Sequence, residues 1–293
     1  MVAQEVTEMG RFYLISLVLL LFGACDKEEP VPSYVYIPDV KVEAAPDFGT
    51  SSAKVTEVWV YGPADILGVF PLPATIPVLA EGPTELTIYA GIHDNGILAR
   101  PNIYPFYAPE KLTPDLVRGQ VDTIDVSVGY LPADRIKLSL HADFEGFNPL
   151  TTDLDDDDRT AVVLTTEGFE GSGARLAVTD TTRRLSVGYF ASVSLPANGS
   201  EVYLEMNYRN DIPFSFWLRG KTPAGDLQIE PVSVLNPHPE WNKIYIPLTQ
   251  FVNSRQWVEY QPVFDVQLTD DDVASGKTTG EVVLDNLKLL SFK

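Results

Sequence analysis

Residues 201–220 read EVYLEMNYRNDIPFSFWLRG, and their alternation decides the fold class. In the first half Val202, Leu204, Met206 and Tyr208 fall on one side of an extended chain, while Tyr203, Glu205, Asn207 and Arg209 fall on the other. In the second half Phe214, Phe216 and Leu218 alternate with Ser215, Trp217 and Arg219. Successive side chains of a strand point to opposite faces, so this spacing predicts two strands with an apolar face on a core and a polar face outside. Asn210-Asp211 lies between them, and pairing of the two runs as a hairpin about it is the expected arrangement. Such a hairpin displays Tyr203, Glu205, Asn207, Arg209, Trp217 and Arg219 together. A sugar needs an aromatic platform for its C–H face and planar polar side chains for its hydroxyls, so these six are the candidate glycan-binding residues. The competing expectation is that Trp217 is covered by a loop or by another domain, since large aromatics are mostly buried.

The same period-two pattern runs outward in both directions. Val58 and Val60 oppose Trp59 and Tyr61, Leu86 and Ile88 flank Thr87, and Ile124, Val126 and Val128 alternate with Asp125 and Ser127. Asp94-Asn95-Gly96 is a turn signal that tolerates positive φ. No window of a dozen residues carries helical spacing free of Pro or Gly, and the 23 prolines and 20 glycines are spread as turn punctuation. The expected class is therefore all-β. At about 100–200 residues per domain, 293 residues divide into two. The expected division is residues 34–130 and residues 131–293.

Three stretches carry family resemblances. Residues 58–91, VWVYGPADILGVFPLPATIPVLAEGPTELTIYAG, resemble small immunoglobulin-like or PEGA-like sandwiches. In the second domain, Asp143–Phe147, Gly171–Val178, Trp241–Leu248 and Val282–Leu289 occur in the order seen in jelly-roll carbohydrate-binding modules, which they resemble. That likeness implies a small immunoglobulin-like sandwich followed by a larger jelly roll whose first and last strands share a sheet. It also implies a structural calcium near those strands, drawing on Asp143, Glu145 and Asp285; the alternative for Asp285 is hydrogen bonding to backbone amides. The acidic run Asp153–Asp158 is not an EF-hand, because Asp158 stands where the loop needs Gly and Leu164 where it needs Glu. It reads as a solvated acidic loop.

The N-terminal segment is expected to be a targeting signal. Phe12–Ala24 is a nearly unbroken apolar run, too short to span a bilayer and right for a signal core. Leu21-Phe22-Gly23-Ala24-Cys25 resembles the lipobox of bacterial lipoproteins, whose Cys becomes the acylated, palmitate-bearing first residue of the mature chain. Residues 1–24 are thus an expected signal peptide, with Met9 the expected initiator because Glu5 and Glu8 are wrong for a positively charged head. Residues 25–33 are the lipidated Cys and an acidic tether, in which Lys27-Glu28-Glu29 resembles the surface-export signal of Bacteroidota-type lipoproteins. The whole chain resembles their two-domain surface lipoproteins, which places it on the outer membrane facing the cell exterior. Cys25 is the one cysteine, so no disulfide forms within the chain.

The net charge of −20, from 41 acidic and 21 basic residues, repels phosphate backbones and excludes a nucleic-acid role. His93, His141 and His238 lie in unrelated contexts, and neither a nucleophile elbow nor a His-Glu-x-x-His helix is present. The expectation is a non-enzyme without a cofactor, apart from the structural calcium that the resemblance implies. Its expected partners are the membrane, through the lipid, and either an extracellular glycan or an outer-membrane protein complex. In the second case both sandwiches are interaction subunits for secretion, uptake or adhesion.

Overall fold

The computed structural model describes residues 30–293; the expected signal peptide, Cys25 and the Lys27-Glu28-Glu29 cluster lie outside them. The N-terminal half contains β1 (Ser33–Ile37), β2 (Val40–Glu43), β3 (Glu57–Tyr61), β4 (Ile66–Pro71), β5 (Ala74–Val78) and β6 (Gly82–Pro83). It continues with β7 (Leu86–His93), β8 (Pro101–Ile103), β9 (Glu110–Leu112), β10 (Asp115–Leu116), β11 (Val121–Thr123) and β12 (Val126–Gly129). One sheet runs β4-β3-β7-β8, with β9 also on β7, and another runs β11-β1-β5. β1 and β2 pair parallel with β11 and β12. The alternation read from sequence sorts as expected: Val58, Val60, Leu86, Ile88, Val126 and Val128 are buried. Asn95 and Gly96 both take positive φ, 55° and 67°, as a tight turn requires.

The C-terminal half is a two-sheet sandwich. Its strands are β13 (Ile136–Ala142), β14 (Leu150–Asp153), β15 (Val163–Thr165), β16 (Gly173–Thr179), β17 (Arg184–Tyr189) and β18 (Val202–Asn210). They continue with β19 (Phe214–Lys221), β20 (Leu227–Leu235), β21 (His238–Pro247), β22 (Glu259–Gln267) and β23 (Thr279–Phe292). One sheet is β15-β16-β23-β18-β21 with β13 on β23, and the other is β14-β17-β22-β19-β20. First and last strands share a sheet, as the jelly-roll likeness implies. Two short helices, α1 (Thr249–Arg255) and α2 (Asp270–Ala274), have no counterpart in the sequence reading; both are shorter than the window that exposes helical periodicity. No helix among the described residues is long and apolar enough to cross a membrane.

The expected hairpin of β18 and β19 does not form. β18 pairs with β21 and β23, whereas β19 pairs with β20 and β22, so the two lie in opposite sheets. The reason lies in Asp211-Ile212-Pro213. Ile212 is buried in the core, where it packs against Gly280, and the Asn210 amide donates to its carbonyl. Burying Ile212 draws the chain across the core between the sheets, and Pro213, which has no N–H, cannot extend a β18–β19 ladder. Both apolar faces then meet across the core instead of lying side by side.

Two cores result. The larger fills the C-terminal sandwich, with Phe214, Phe216, Phe264 and Leu204 among its members. The other is centred on the N-terminal half, yet it includes Ile136, Tyr203, Tyr245 and Leu290 from beyond residue 131. The outer face of the β18 sheet is therefore packed against the N-terminal half.

Candidate functional site

The six candidate glycan residues divide into three environments. Tyr203, Glu205 and Asn207 are buried beneath the N-terminal half. The Tyr203 hydroxyl donates to Asp94 Oδ1 (3.0 Å) and accepts from Asn102 Nδ2 (3.1 Å). The Asn207 carbonyl accepts from the Ser52 hydroxyl (2.9 Å). Glu205 accepts from the hydroxyls of Tyr104 (2.5 Å) and Tyr130 (2.9 Å) and pairs with Lys243 (2.9 Å). Burial alone would raise its pKa, but Lys243, Lys288 and the Tyr104 hydroxyl hold it below the ordinary carboxylate value. Lys288 donates to the Thr50 carbonyl (2.8 Å) and the Tyr130 hydroxyl (3.2 Å), and burial lowers its pKa to about 8. This is a junction and not a ligand face. The polar side of β18 faces the N-terminal half and not water, because alternation gives the direction of a side chain and not what lies there.

Arg209 lies beyond the junction on the same sheet. It pairs with Glu167 (2.7 Å) and sits over the Trp241 ring, 5.7 Å from its centroid. Arg175 joins Glu167 (3.1 Å) and Glu281 (3.0 Å), which closes a neutral lattice of two arginines and two glutamates. It borders a cleft of about 550 Å³.

Trp217 and Arg219 occupy the outer face of the opposite sheet. β19 alternates buried and part-exposed residues, and Ser215, Trp217 and Arg219 are the part-exposed set. Trp217 lies opposite Val263 on one neighbouring strand and Pro231 on the other. Arg219 donates to Gln261 Oε1 (3.2 Å), and Gln261 donates onward to Thr152 (3.1 Å) and the Tyr189 carbonyl. Gly188 packs closely beneath this pair: a Cβ there would stand 3.2 Å from Gln261 Cδ and 3.3 Å from Thr152 Cβ. Arg184 pairs with Asp265 (2.7 Å), which stands opposite Ser215. A cleft of about 310 Å³ opens at this end, lined by Ser215, Asp265, Gln267 and Thr269. Where β17 ends, exposed Phe190 meets exposed Phe147 edge to face at 5.7 Å. The face thus combines a half-buried indole, two planar polar pairs and two exposed phenyl rings.

Gln261, Arg184, Asp265, Phe147 and Phe190 were not found from sequence. They come from strands distant in the chain, and only the pairing of β22 with both β17 and β19 assembles them. The usable signal was in Glu259–Gln267, where Tyr260, Phe264 and Val266 alternate with polar Gln261, Asp265 and Gln267.

Asp143, Glu145 and Asp285 each accept a backbone N–H, from Glu145 (3.2 Å), Ser172 (2.7 Å) and Glu170 (3.0 Å) respectively. No three His, Cys, Asp or Glu side chains group as metal ligands among the described residues. The acidic run is partly structural: Asp155 accepts from the Ser186 N–H (2.6 Å) and the Thr160 hydroxyl (3.0 Å).

No family model matches the chain, and no curated protein matches it. Solved structures similar to part of it include carbohydrate-binding modules. One is a family 11 module from Clostridium thermocellum in complex with a β-1,3-1,4-mixed-linked tetrasaccharide, at 17% identity, 54% of this chain, 96% of that chain and a TM-score of 0.37. Another is the CBM22-1 xylan-binding domain of Paenibacillus barcinonensis Xyn10C, at 16% identity, 55% and 97% coverage and a TM-score of 0.36. A third is the family 30 module of a Clostridium thermocellum cellulosomal cellulase, at 16% identity, 52% and 92% coverage and a TM-score of 0.34.

Proposed function

We propose that the chain is a non-catalytic glycan-binding lipoprotein, anchored through Cys25 to the outer membrane and facing the cell exterior. The observation that carries the binding reading is the outer face of the β14-β17-β22-β19-β20 sheet. There Trp217 lies beside the Arg219–Gln261 and Arg184–Asp265 pairs, away from the junction. An indole face packs on the C–H face of a pyranose, and a paired guanidinium and amide offer donors and acceptors to vicinal hydroxyls. Because both arginines are already partnered, the fitting ligand is a neutral glycan. The roles of Tyr203, Glu205 and Asn207 pass from ligand binding to joining the two halves. An array of extracellular polysaccharides, probed with the purified chain, tests the reading; a silent array removes it.

A second reading, a protein-interaction subunit, is favoured by one observation. β20 is an edge strand of nine residues with Leu227, Ile229 and Val234 exposed. Open edges accept a strand from a partner. Recovery of a stoichiometric membrane partner by the wild type, lost in Val234→Lys, supports it over the first.

A further inference from the structure

The N-terminal half has an apolar end that is exposed among the described residues. Val31, Leu79, Val117 and Val121 are 57%, 72%, 43% and 56% exposed. They gather at the start of β1. Ser33 pairs with Val78, next to Leu79, and Tyr34 pairs with Val121. The Gly119 N–H donates to the Pro32 carbonyl, and the Gln120 N–H to the Val117 carbonyl. A Cβ on Gly119 would lie 3.8 Å from Val31. Of the charged residues at this end, Arg118 is held by Glu81 at 3.0 Å, and Asp115 and Asp122 lie beside Val117 and Val121.

This end lies opposite the junction. β1 and β11 run parallel, and the chain leaving β11 passes through β12 to Tyr130, whose hydroxyl binds Glu205. Val121 to Tyr130 is about 30 Å of extended chain. The C-terminal sandwich, with its Trp217 face, is therefore at the far end from Val31.

Sequence position identifies what covers the apolar rim. Six peptide units separate Cys25 from Val31, so the rim stands within about 20 Å of the lipidated residue however the chain between them runs. Branched side chains exposed on a surface that close to a bilayer partition into its boundary region, where burying apolar area is favourable.

Resting on the Cys25 lipidation reading, we infer that Val31, Leu79, Val117 and Val121 form a membrane-seating rim. It docks the N-terminal half directly on the zwitterionic lipid surface that holds the acyl chains, and it stands the C-terminal sandwich upright in solution. With Glu5, Glu8 and Arg11 removed in the signal, the mature chain keeps a formal charge of −19, which disfavours an anionic surface and suits a zwitterionic one.

The test uses the full, acylated chain in phosphatidylcholine–phosphatidylethanolamine vesicles containing lipids spin-labelled near the headgroup. Two variants, Leu79→Cys and Leu98→Cys, carry the same fluorophore. Leu98 is 80% exposed and sits in the turn whose Asp94 bridges to Tyr245 at the junction, so it reports the opposite end. The expected result is severalfold stronger quenching at position 79 than at 98. Equal, weak quenching at both positions in chains that sediment with the vesicles overturns the rim and leaves the anchor intact. A label at 79 that is dry but unquenched assigns the surface to a second copy and also overturns it. Failure of the chain to sediment at all removes the lipid anchor and the rim with it.

Discussion

Asp285 is fully buried, accepts the N–H groups of Glu170 and Asn286, and makes no ion pair among the described residues. Burial pushes its pKa up to about 6 from 3.8, against the pull of those amides. The folded chain therefore holds the proton to a higher pH than the unfolded chain. The stability from protonated Asp285 is complete below about pH 4 and is lost as pH rises through 6, a decline of about 2–3 kcal/mol. Asp285→Asn is expected to flatten that decline, measured as the urea midpoint across the interval. Calcium separates the two roles of this residue. If Asp285 and Glu145 serve only the amides of the 170–172 loop, added calcium leaves the melting temperature unchanged. A calcium-dependent rise that Glu145→Gln abolishes would instead assign both carboxylates to the cation.

At the scale of elements, the crossing from β18 to β19 governs which side chains can share a ligand. Ile212 anchors it, so Ile212→Ala is expected to cost about 2–4 kcal/mol in chemical denaturation. An exposed residue of the same size would cost far less, and a loss within experimental error would show that the crossing is held otherwise. This element also marks the limit of legibility. The period-two pattern names the apolar inward side chains of β18 and β19, from Val202 to Tyr208 and from Phe214 to Leu218, because burial follows from alternation within one strand. It did not say which sheet each strand joins, because that depends on Ile212 packing against residues some seventy positions away. The Asn95-Gly96 turn was legible because its backbone conformation is a property of those two residues. Gln261, by contrast, joins the site through the pairing of its strand with β19 and its bonds to Thr152 and Tyr189, partners distant in the chain.

For the whole molecule, the junction makes the two halves one mechanical body. Glu205 accepts from tyrosines of the N-terminal half and from a lysine of its own, and Tyr203 and Tyr245 belong to the core of the other half. Scanning calorimetry of residues 26–293 is expected to show one cooperative transition, and two well-separated peaks would contradict the coupling. The junction has its own pH dependence. Lys288 sheds its proton near pH 8 in the folded chain but near 10.5 when unfolded, so its folded pKa is lowered. The cost of burying its charge then disappears as pH rises, and the contribution of Lys288 itself to stability is expected to increase by about 3 kcal/mol between those values. Burial raises the pKa of Tyr104, Tyr107 and Tyr130, so ionisation of these tyrosines in the unfolded chain opposes that gain from about pH 10 upward. Lys288→Met should remove the rise, seen in urea midpoints on either side of pH 8.

The central claim is that the sheet face bearing Trp217, and not the polar face of β18, meets the ligand. Titration calorimetry of Trp217→Ala and Trp241→Ala, each checked for native circular dichroism, against a glycan that binds the wild type tests it most directly. At least about a tenfold loss of affinity is expected in Trp217→Ala, equivalent to about 1.4 kcal/mol, with Trp241→Ala close to wild type. Unchanged affinity in Trp217→Ala, with the loss appearing in Trp241→Ala, would contradict it.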